Sequence, residues 1–296
     1  NLMETALLVE NISKRYGARE VVKGISFAVK PAEIFGFLGP NGAGKTTSIR
    51  MMIGELPRDG GRVEIMGYRM PEDREKVIEI IGVVPDHQNL YDRLTVRQNL
   101  DLFSRLFGIP PKRIDEVIDL VGLKEHADVP TQNLSRGLRQ RTLIGRGILH
   151  QPKIFFLDEP TSALDPHSAM AIRELIQRLK AQGTTVLLTT HYMEEANSLC
   201  DRLAILHQGV LVATDTPEQL RLRYGRPVLK VTLKPSGNEE PPLLELPMND
   251  KQGAATLNDL LAAGKVLRLH SQEATLEEVF LNLTGNAWKA PEGEAE

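Results

Sequence analysis

The sequence predicts an α/β fold, and three observations predict it. Short apolar runs such as Ile81–Val84, Ile154–Leu157 and Val186–Leu188 alternate with stretches of helical periodicity. The run Glu33–Leu38 passes straight into the turn GPNGAGKTT, Gly39–Thr47, and then into a helical pattern. The run Ile154–Leu157 ends in two adjacent carboxylates, Asp158 and Glu159.

Composition sets the outer limits. The 296 residues suffice for one large domain, or one domain plus a small one. Hydrophobic residues at 41% and charged residues at 25% are ordinary for a soluble globular chain. A net charge of −3 argues against a nucleic-acid binder, which carries a basic excess. Cys200 is the single cysteine, so no intrachain disulfide can form and its expected role is that of a small buried apolar residue. No apolar run approaches the roughly 18 residues that span a bilayer, and no signal peptide is expected. Any membrane role is therefore expected through a partner, from the cytoplasmic side.

In chain order, Ala6–Val9 and Ser26–Val29 read as strands joined by a turn near Gly17, and Glu33–Leu38 as the strand before the glycine-rich turn. Lys45–Ile53 is the helix after it, with Gly54 placed to end it. Arg62–Ile65 and Ile81–Val84 are strands, the latter stopped by Pro85. Leu100, Phe103, Leu106 and Phe107 recur at helical spacing, as do Ile114, Val117, Ile118 and Val121. Ser135 is an N-cap for a third helix reaching about Leu149. Strands return at Ile154–Leu157 and Thr185–Thr189, with a helix between them. Leu203–Leu206 and Val210–Ala213 form a hairpin around Gln208-Gly209, and Thr216-Pro217 opens a helix. After about Arg226, Pro235–Pro242 reads as a linker or loop. Strands at Val228–Leu233 and Val266–His270, and helices at Thr256–Ala263 and Thr275–Leu283, make a small appended α/β unit. Asn286–Glu296 is expected to fray.

The turn carries chemistry. Gly39, Pro40, Asn41, Gly42, Ala43, Gly44, Lys45, Thr46 and Thr47 have the spacing of a phosphate-binding loop. Glycines let several backbone N–H groups converge on one anion, and the following helix start adds its dipole. Lys45 is placed to reach β- and γ-phosphates and the Thr46 hydroxyl to bind Mg²⁺. A strand buried on both faces delivers its terminal acids to the same sheet edge. Asp158 is then a Mg²⁺ ligand, through water, and Glu159 a carboxylate able to orient or deprotonate the attacking water. Upstream, Asn133–Arg141 offers a second anion site at a helix start, from Ser135 and the Gly137 amide. Arg139 and Arg141 read as a helix face without a catalytic role.

With these motifs in this order, residues 5–225 resemble the ATP-binding subunit of an ABC transporter. Gly39–Thr47 matches the family's phosphate loop, Leu134–Leu138 its signature loop and Ile154–Glu159 its Mg²⁺-and-base strand. Ser162–Asp165 is similar to the loop that crosses the dimer interface. His191 matches the switch histidine, and Tyr16 the aromatic that stacks on adenine. Arg136 stands where the family has a glycine, and Leu138 where it often has glutamine. Asp86 holds the position of the family's loop glutamine, and Gln88 would substitute only if that loop shifts.

The resemblance implies a P-loop NTPase fold of ABC type. Its parts are a RecA-like core sheet, an antiparallel β subdomain, a helical signature subdomain at about 86–149, and a C-terminal α/β domain at 226–285 with a tail at 286–296. It implies ATP and Mg²⁺ as ligands. It implies head-to-tail pairing with a second ATP-binding subunit, expected to be an identical copy. Each ATP then lies between the phosphate loop of one copy, with Asp165 nearby, and the Ser135–Gly137 site of the other. It implies a separate polytopic permease, and a place on the cytoplasmic face of a bacterial plasma membrane through it. Leu90–Leu100 and Ala274–Gly285 resemble exporters of the ABC-2 type, which move drugs, antibiotics, lipids and similar cargo. The alternative is a soluble ABC-type ATPase of the iron–sulfur assembly kind, against which the tail counts. Intact Lys45, Asp158, Glu159 and His191 argue against a non-hydrolysing scaffold.

Overall fold

The computed structural model describes residues 5–87, 89–225, 228–234, 241–247 and 250–285. Gln88 and the expected tail at 286–296 lie outside the described residues.

A long hairpin comes first. β1 (Leu7–Tyr16) and β2 (Arg19–Val29) pair antiparallel, with Tyr16 opposite Arg19 and Gly17 in the turn at φ 58°, a conformation that suits glycine. Both strands run further than their apolar stretches, because cross-strand pairing continues into polar residues. β3 (Ile34–Leu38) is buried at all five positions, as a strand covered on both faces must be. α1 (Lys45–Met52) follows it. β4 (Gly60–Ile65) and β5 (Tyr68–Met70) extend the hairpin to a four-stranded antiparallel sheet of order β2-β1-β4-β5. Phe27 of β2 meets Phe35 and Phe37 of β3 at ring-centroid distances of 5.3 and 4.9 Å, which joins the two sheets through one core.

α2 (Arg74–Ile78) leads to β6 (Ile81–Val84). A helical segment then runs through α3 (Val96–Leu106), α4 (Pro111–Leu120) and α5 (Arg136–Ile148). Thr95 and Gln98 form a reciprocal capping box at the start of α3. Buried Asn99 donates to the carbonyls of Tyr91, Leu94 and Thr95 and accepts from the Tyr91 amide, so one side chain sets the preceding loop.

β7 (Ile154–Asp158), α6 (Pro166–Ala181), β8 (Thr185–Thr190), α7 (Met193–Leu199), β9 (Arg202–His207) and β10 (Val210–Asp215) complete a six-stranded sheet of order β10-β9-β3-β8-β7-β6. β9, β3, β8, β7 and β6 run parallel. Leu38 pairs with Thr190, and Asp158 with Thr189. That register brings the residues following β3, β7 and β8, namely Gly39, Glu159 and His191, to one sheet edge.

The chain divides into two compact units between Val212 and Ala213. The sequence placed the division after residue 225; the structure puts α8 (Pro217–Tyr224) in the second unit. The cause is packing: α8 lies against α10 (Leu276–Thr284), and Asn282 Nδ2 donates to Tyr224 O at 2.7 Å. Within that unit β11 (Val228–Leu233), β12 (Leu243–Pro247) and β13 (Val266–Gln272) form an antiparallel sheet of order β12-β11-β13. α9 (Lys251–Ala262) starts ahead of the expected Thr256 because Asp250 caps it, accepting from Gln252 N. Among the described residues no helix is long and apolar enough to cross a membrane.

Candidate active site

The phosphate loop owes its shape to its glycines. Gly42 and Gly44 sit at φ 79° and 106°. A Cβ on Gly39 would meet Leu206 O at 2.4 Å, and one on Gly44 would meet Val21 O at 3.0 Å, so the chain passes where only glycine fits. No side chain caps α1, so the helix start offers its amides to a ligand. Lys45 is buried, and its Nζ donates to Gly39 O at 2.7 Å and Pro40 O at 3.3 Å.

β7 delivers the carboxylates. Thr189 Oγ1 donates to Asp158 Oδ1 and accepts from the Glu159 amide at 2.9 Å, so one β8 hydroxyl orients both acids. Thr46 also hydrogen-bonds Asp158. Burial raises the Asp158 pKa; the two threonine hydroxyls oppose it, and the carboxylates of Asp86 and Glu159 reinforce it. Glu159 adopts φ 49°. Its Oε1 lies 3.1 Å from Lys45 Nζ and its Oε2 2.7 Å from His191 Nδ1. Burial pushes the Glu159 pKa up, but His191 and Lys45 together outweigh burial and hold it below the ordinary value. His191 is buried, and neither ring nitrogen makes a well-directed hydrogen bond, including Nδ1 in its short contact with Glu159.

A cavity of about 620 Å³ lies over this loop, within the range for a small-molecule site. Tyr16, 51% exposed, lines it from the β1–β2 hairpin beside Arg19. Asp86 and Glu159 line it as well, with Arg136 and Gln140 from α5. Arg19 carried no sequence signal, and Arg136 stood out only as a departure from the signature pattern. The oxygens of Thr46, Asp158 and Asp86 are hard donors suited to Mg²⁺. Among the described residues no three His, Cys, Asp or Glu side chains are grouped as a metal cage. Few protein ligands, completed by phosphate and water, is the usual manner of Mg²⁺ binding.

Ser135, Gly137 and Asp165 do not line this cavity. Ser135 is exposed and caps α5, accepting from Leu138 N at 3.3 Å. Asp165 caps α6, accepting from Ser168 N at 2.9 Å, and the hydrogen bonds from Ser168 hold its pKa low. Gly137 packs on that same Ser168: a Cβ there would lie 2.3 Å from Ser168 Oγ. Gly137 thus packs within one chain on Ser168, whose amide bonds Asp165, while Arg136 and Ser162 of the same two segments line that chain's own cavity. Arg139 is no solvated face. It donates to Thr131 O at 2.8 Å and Asp92 Oδ1 at 2.7 Å, tying α5 to the loop that follows Asp86.

Known proteins share these features. The ABC transporter family model matches residues 22–162. The linearmycin resistance ATP-binding protein of Bacillus subtilis is 38% identical over 306 residues, covering 94% of this chain and 98% of that protein. A Nod factor export ATP-binding protein I of Ralstonia nicotianae is 38% identical over 300 residues, with 94% of each covered. A solved ATP-binding subunit of an ABC transporter superposes with a TM-score of 0.68 at 30% identity, covering 75% of this chain and 94% of its own. A phosphate loop and paired carboxylates occur in many nucleotide-binding proteins, whereas identity sustained along almost the whole chain does not. The chain therefore belongs to the family of ABC transporter ATP-binding proteins and is an ATPase of that family.

Proposed function

We propose that the chain hydrolyses ATP in the cavity over Gly39–Thr47 and so powers export through a separate membrane permease. One observation carries the reading: the Glu159 carboxylate lies between Lys45 Nζ at 3.1 Å and His191 Nδ1 at 2.7 Å. Three residues far apart in sequence thereby share one reacting position.

The roles follow from charge and hydrogen-bonding capacity. The Gly39–Thr47 amides and Lys45 bind the β- and γ-phosphates. Lys45 exchanges the Gly39 and Pro40 carbonyls and the Glu159 carboxylate for phosphate oxygens, which leaves Glu159 free to act. Glu159 is ionised at neutral pH and accepts the proton of the attacking water. His191 orients that water and hydrogen-bonds the γ-phosphate. Thr46 and Asp158, with Asp86 beside them, would hold Mg²⁺, which when bound would neutralise charge on the phosphoryl oxygens. Tyr16 stacks on adenine.

Ser135, Gly137 and Asp165 act across a head-to-tail pair of identical copies. Their place outside the cavity of their own chain supports this. ATP closes the pair, and hydrolysis removes the γ-phosphate that both copies hold. The pair sits on the cytoplasmic face of the plasma membrane, held by a polytopic permease, a short cytoplasmic helix of which the surface around Pro85–Leu100 receives. Relatives named for linearmycin resistance and Nod factor export, similar along nearly their full length, support export of an antibiotic, drug, lipid or similar compound.

The test uses Glu159→Gln as bait. The tagged protein, with ATP and Mg²⁺, is incubated with native membranes in mild detergent and recovered for mass spectrometry. A stoichiometric polytopic membrane protein is expected. Recovery of soluble partners alone would overturn the exporter reading.

A further inference from the structure

Glu195, on α7, is fully buried and takes no part in the scheme above. A carboxylate without solvent is costly unless it is bonded. Its Oε1 accepts from Thr161 Oγ1 at 2.6 Å. Thr161 belongs to the turn that begins at Glu159, in which Ser162 N donates to Glu159 O at 3.1 Å and Leu164 N to Thr161 O at 3.3 Å. The hydroxyl of Thr190, the residue before His191, also interacts with Glu195. Arg173 of α6, the helix capped by Asp165, brings Nε to 3.9 Å from Oε1. Thr190 in turn accepts from Gly39 N at 3.3 Å. One side chain therefore meets the segments that carry Glu159, His191 and Asp165, and reaches the phosphate loop through Thr190.

Packing does not require an acid at this position. Met193, Ala196 and Leu199 make up the rest of the buried face of α7. Burial raises the Glu195 pKa, with Thr161, Thr190, Arg173 and His191 opposing, and Oε2 makes no hydrogen bond. An apolar residue of similar volume in place of a buried charged group is often neutral or stabilising. Stability alone is thus a poor account of this glutamate, whereas a link between two catalytic loops is a good one.

We infer that Glu195 is a positioning residue for hydrolysis: it holds the Thr161 turn against the Thr190–His191 strand end and so sets the spacing of Glu159 and His191. The inference rests on the reading of Glu159 and His191 as the catalytic pair.

The experiment measures steady-state ATPase kinetics and thermal unfolding of the full chain. The variants are Glu195→Ala, Glu195→Gln, Thr161→Val, the Ala/Val double and Glu159→Gln. Glu195→Ala and Thr161→Val are expected to lower kcat about tenfold or more with KM for ATP changed less than about twofold, since a small misplacement of reacting groups costs rate rather than binding. Glu195→Gln keeps an oxygen that accepts from Thr161, and recovers kcat to within about threefold of wild type. The double variant falls no further than the worse single, because both cut one link. Thr161→Val preserves shape and decides the matter if Glu195→Ala does not fold. Wild-type kcat in Thr161→Val, or a Gln variant as slow as Ala, overturns the inference. Glu159→Gln separates the two readings. If it hydrolyses at the normal rate, the catalytic pair itself is wrong. If it is inactive while Thr161→Val is normal, only the role of Glu195 falls.

Discussion

Lys45 Nζ lies 3.1 Å from Glu159 Oε1, so the first residue of α1 touches the residue that follows β7. The pair separates substrate binding from chemistry. Glu159→Gln keeps shape and hydrogen-bonding capacity but cannot accept a proton. Its hydrolysis rate is expected to fall at least about a hundredfold, while equilibrium ATP binding stays at or above wild type. Lys45→Ala removes the buried cation, and ATP binding itself is expected to weaken about tenfold or more. Nucleotide-binding titrations beside ATPase assays check both.

Asp158 and Glu159 are neighbours pushed in opposite directions. The Glu159 pKa is held below its unfolded value, so its contribution to stability is full above that value and is lost as pH falls through the folded one. The Asp158 pKa is raised, so its contribution is full below the unfolded value and is lost as pH rises through the folded one. In chelator at pH 7, Glu159→Gln is expected to lower Tm and to converge on wild type only as pH falls through the lowered folded-state pKa. Asp158→Asn, which can still accept from Thr189 and Thr46, is expected to raise Tm by about 2 °C or more at pH 7, with hydrolysis lost. Thermal unfolding from pH 8 down through the carboxylate range and below it reads both signs; a lower Tm for Asp158→Asn at pH 7 would contradict the second.

Tyr16 is half-exposed at the cavity, so its replacement should touch binding and not folding. Tyr16→Ala is expected to weaken ATP binding about tenfold by loss of base stacking, and Tyr16→Trp to retain it. Unchanged affinity for ATP in Tyr16→Ala would remove the residue from the site.

Gly137 sits so close to Ser168 that an added methyl must displace it. Gly137→Ala is expected to cost about 1–3 kcal/mol of stability. Gly137→Ala combined with Ser168→Gly should regain most of it by vacating the space that the methyl needs. Denaturant unfolding of the two variants measures the difference.

Much of the site was legible because its signals are local. A loop that needs left-handed backbone at Gly42 and Gly44 must place glycine there, and a strand covered on both faces must be apolar throughout, as Ile154–Leu157 is. Caps at Ser135 and Thr216 could be read for the same reason, since each side chain bonds an amide within a few residues. α2 and β5 went unread because five and three residues carry no usable period. The division before α8 went unread because it depends on which partner the helix packs against.

The sequence by itself determined the chemistry on offer: a phosphate loop, a strand ending in two acids, a histidine after another strand. These rest on short-range geometry that residue type dictates. Only the tertiary structure decided what each group does with its charge. Asp158 and Glu159 are adjacent acids, yet burial raises one pKa while Lys45 and His191 lower the other. Glu194 and Glu195 are adjacent and identical, yet the first is exposed and the second fully buried between Thr161 and Thr190. Solvent, partner charges and helix phase are set by segments distant in the chain, so no reading of neighbouring residues could tell the members of either pair apart.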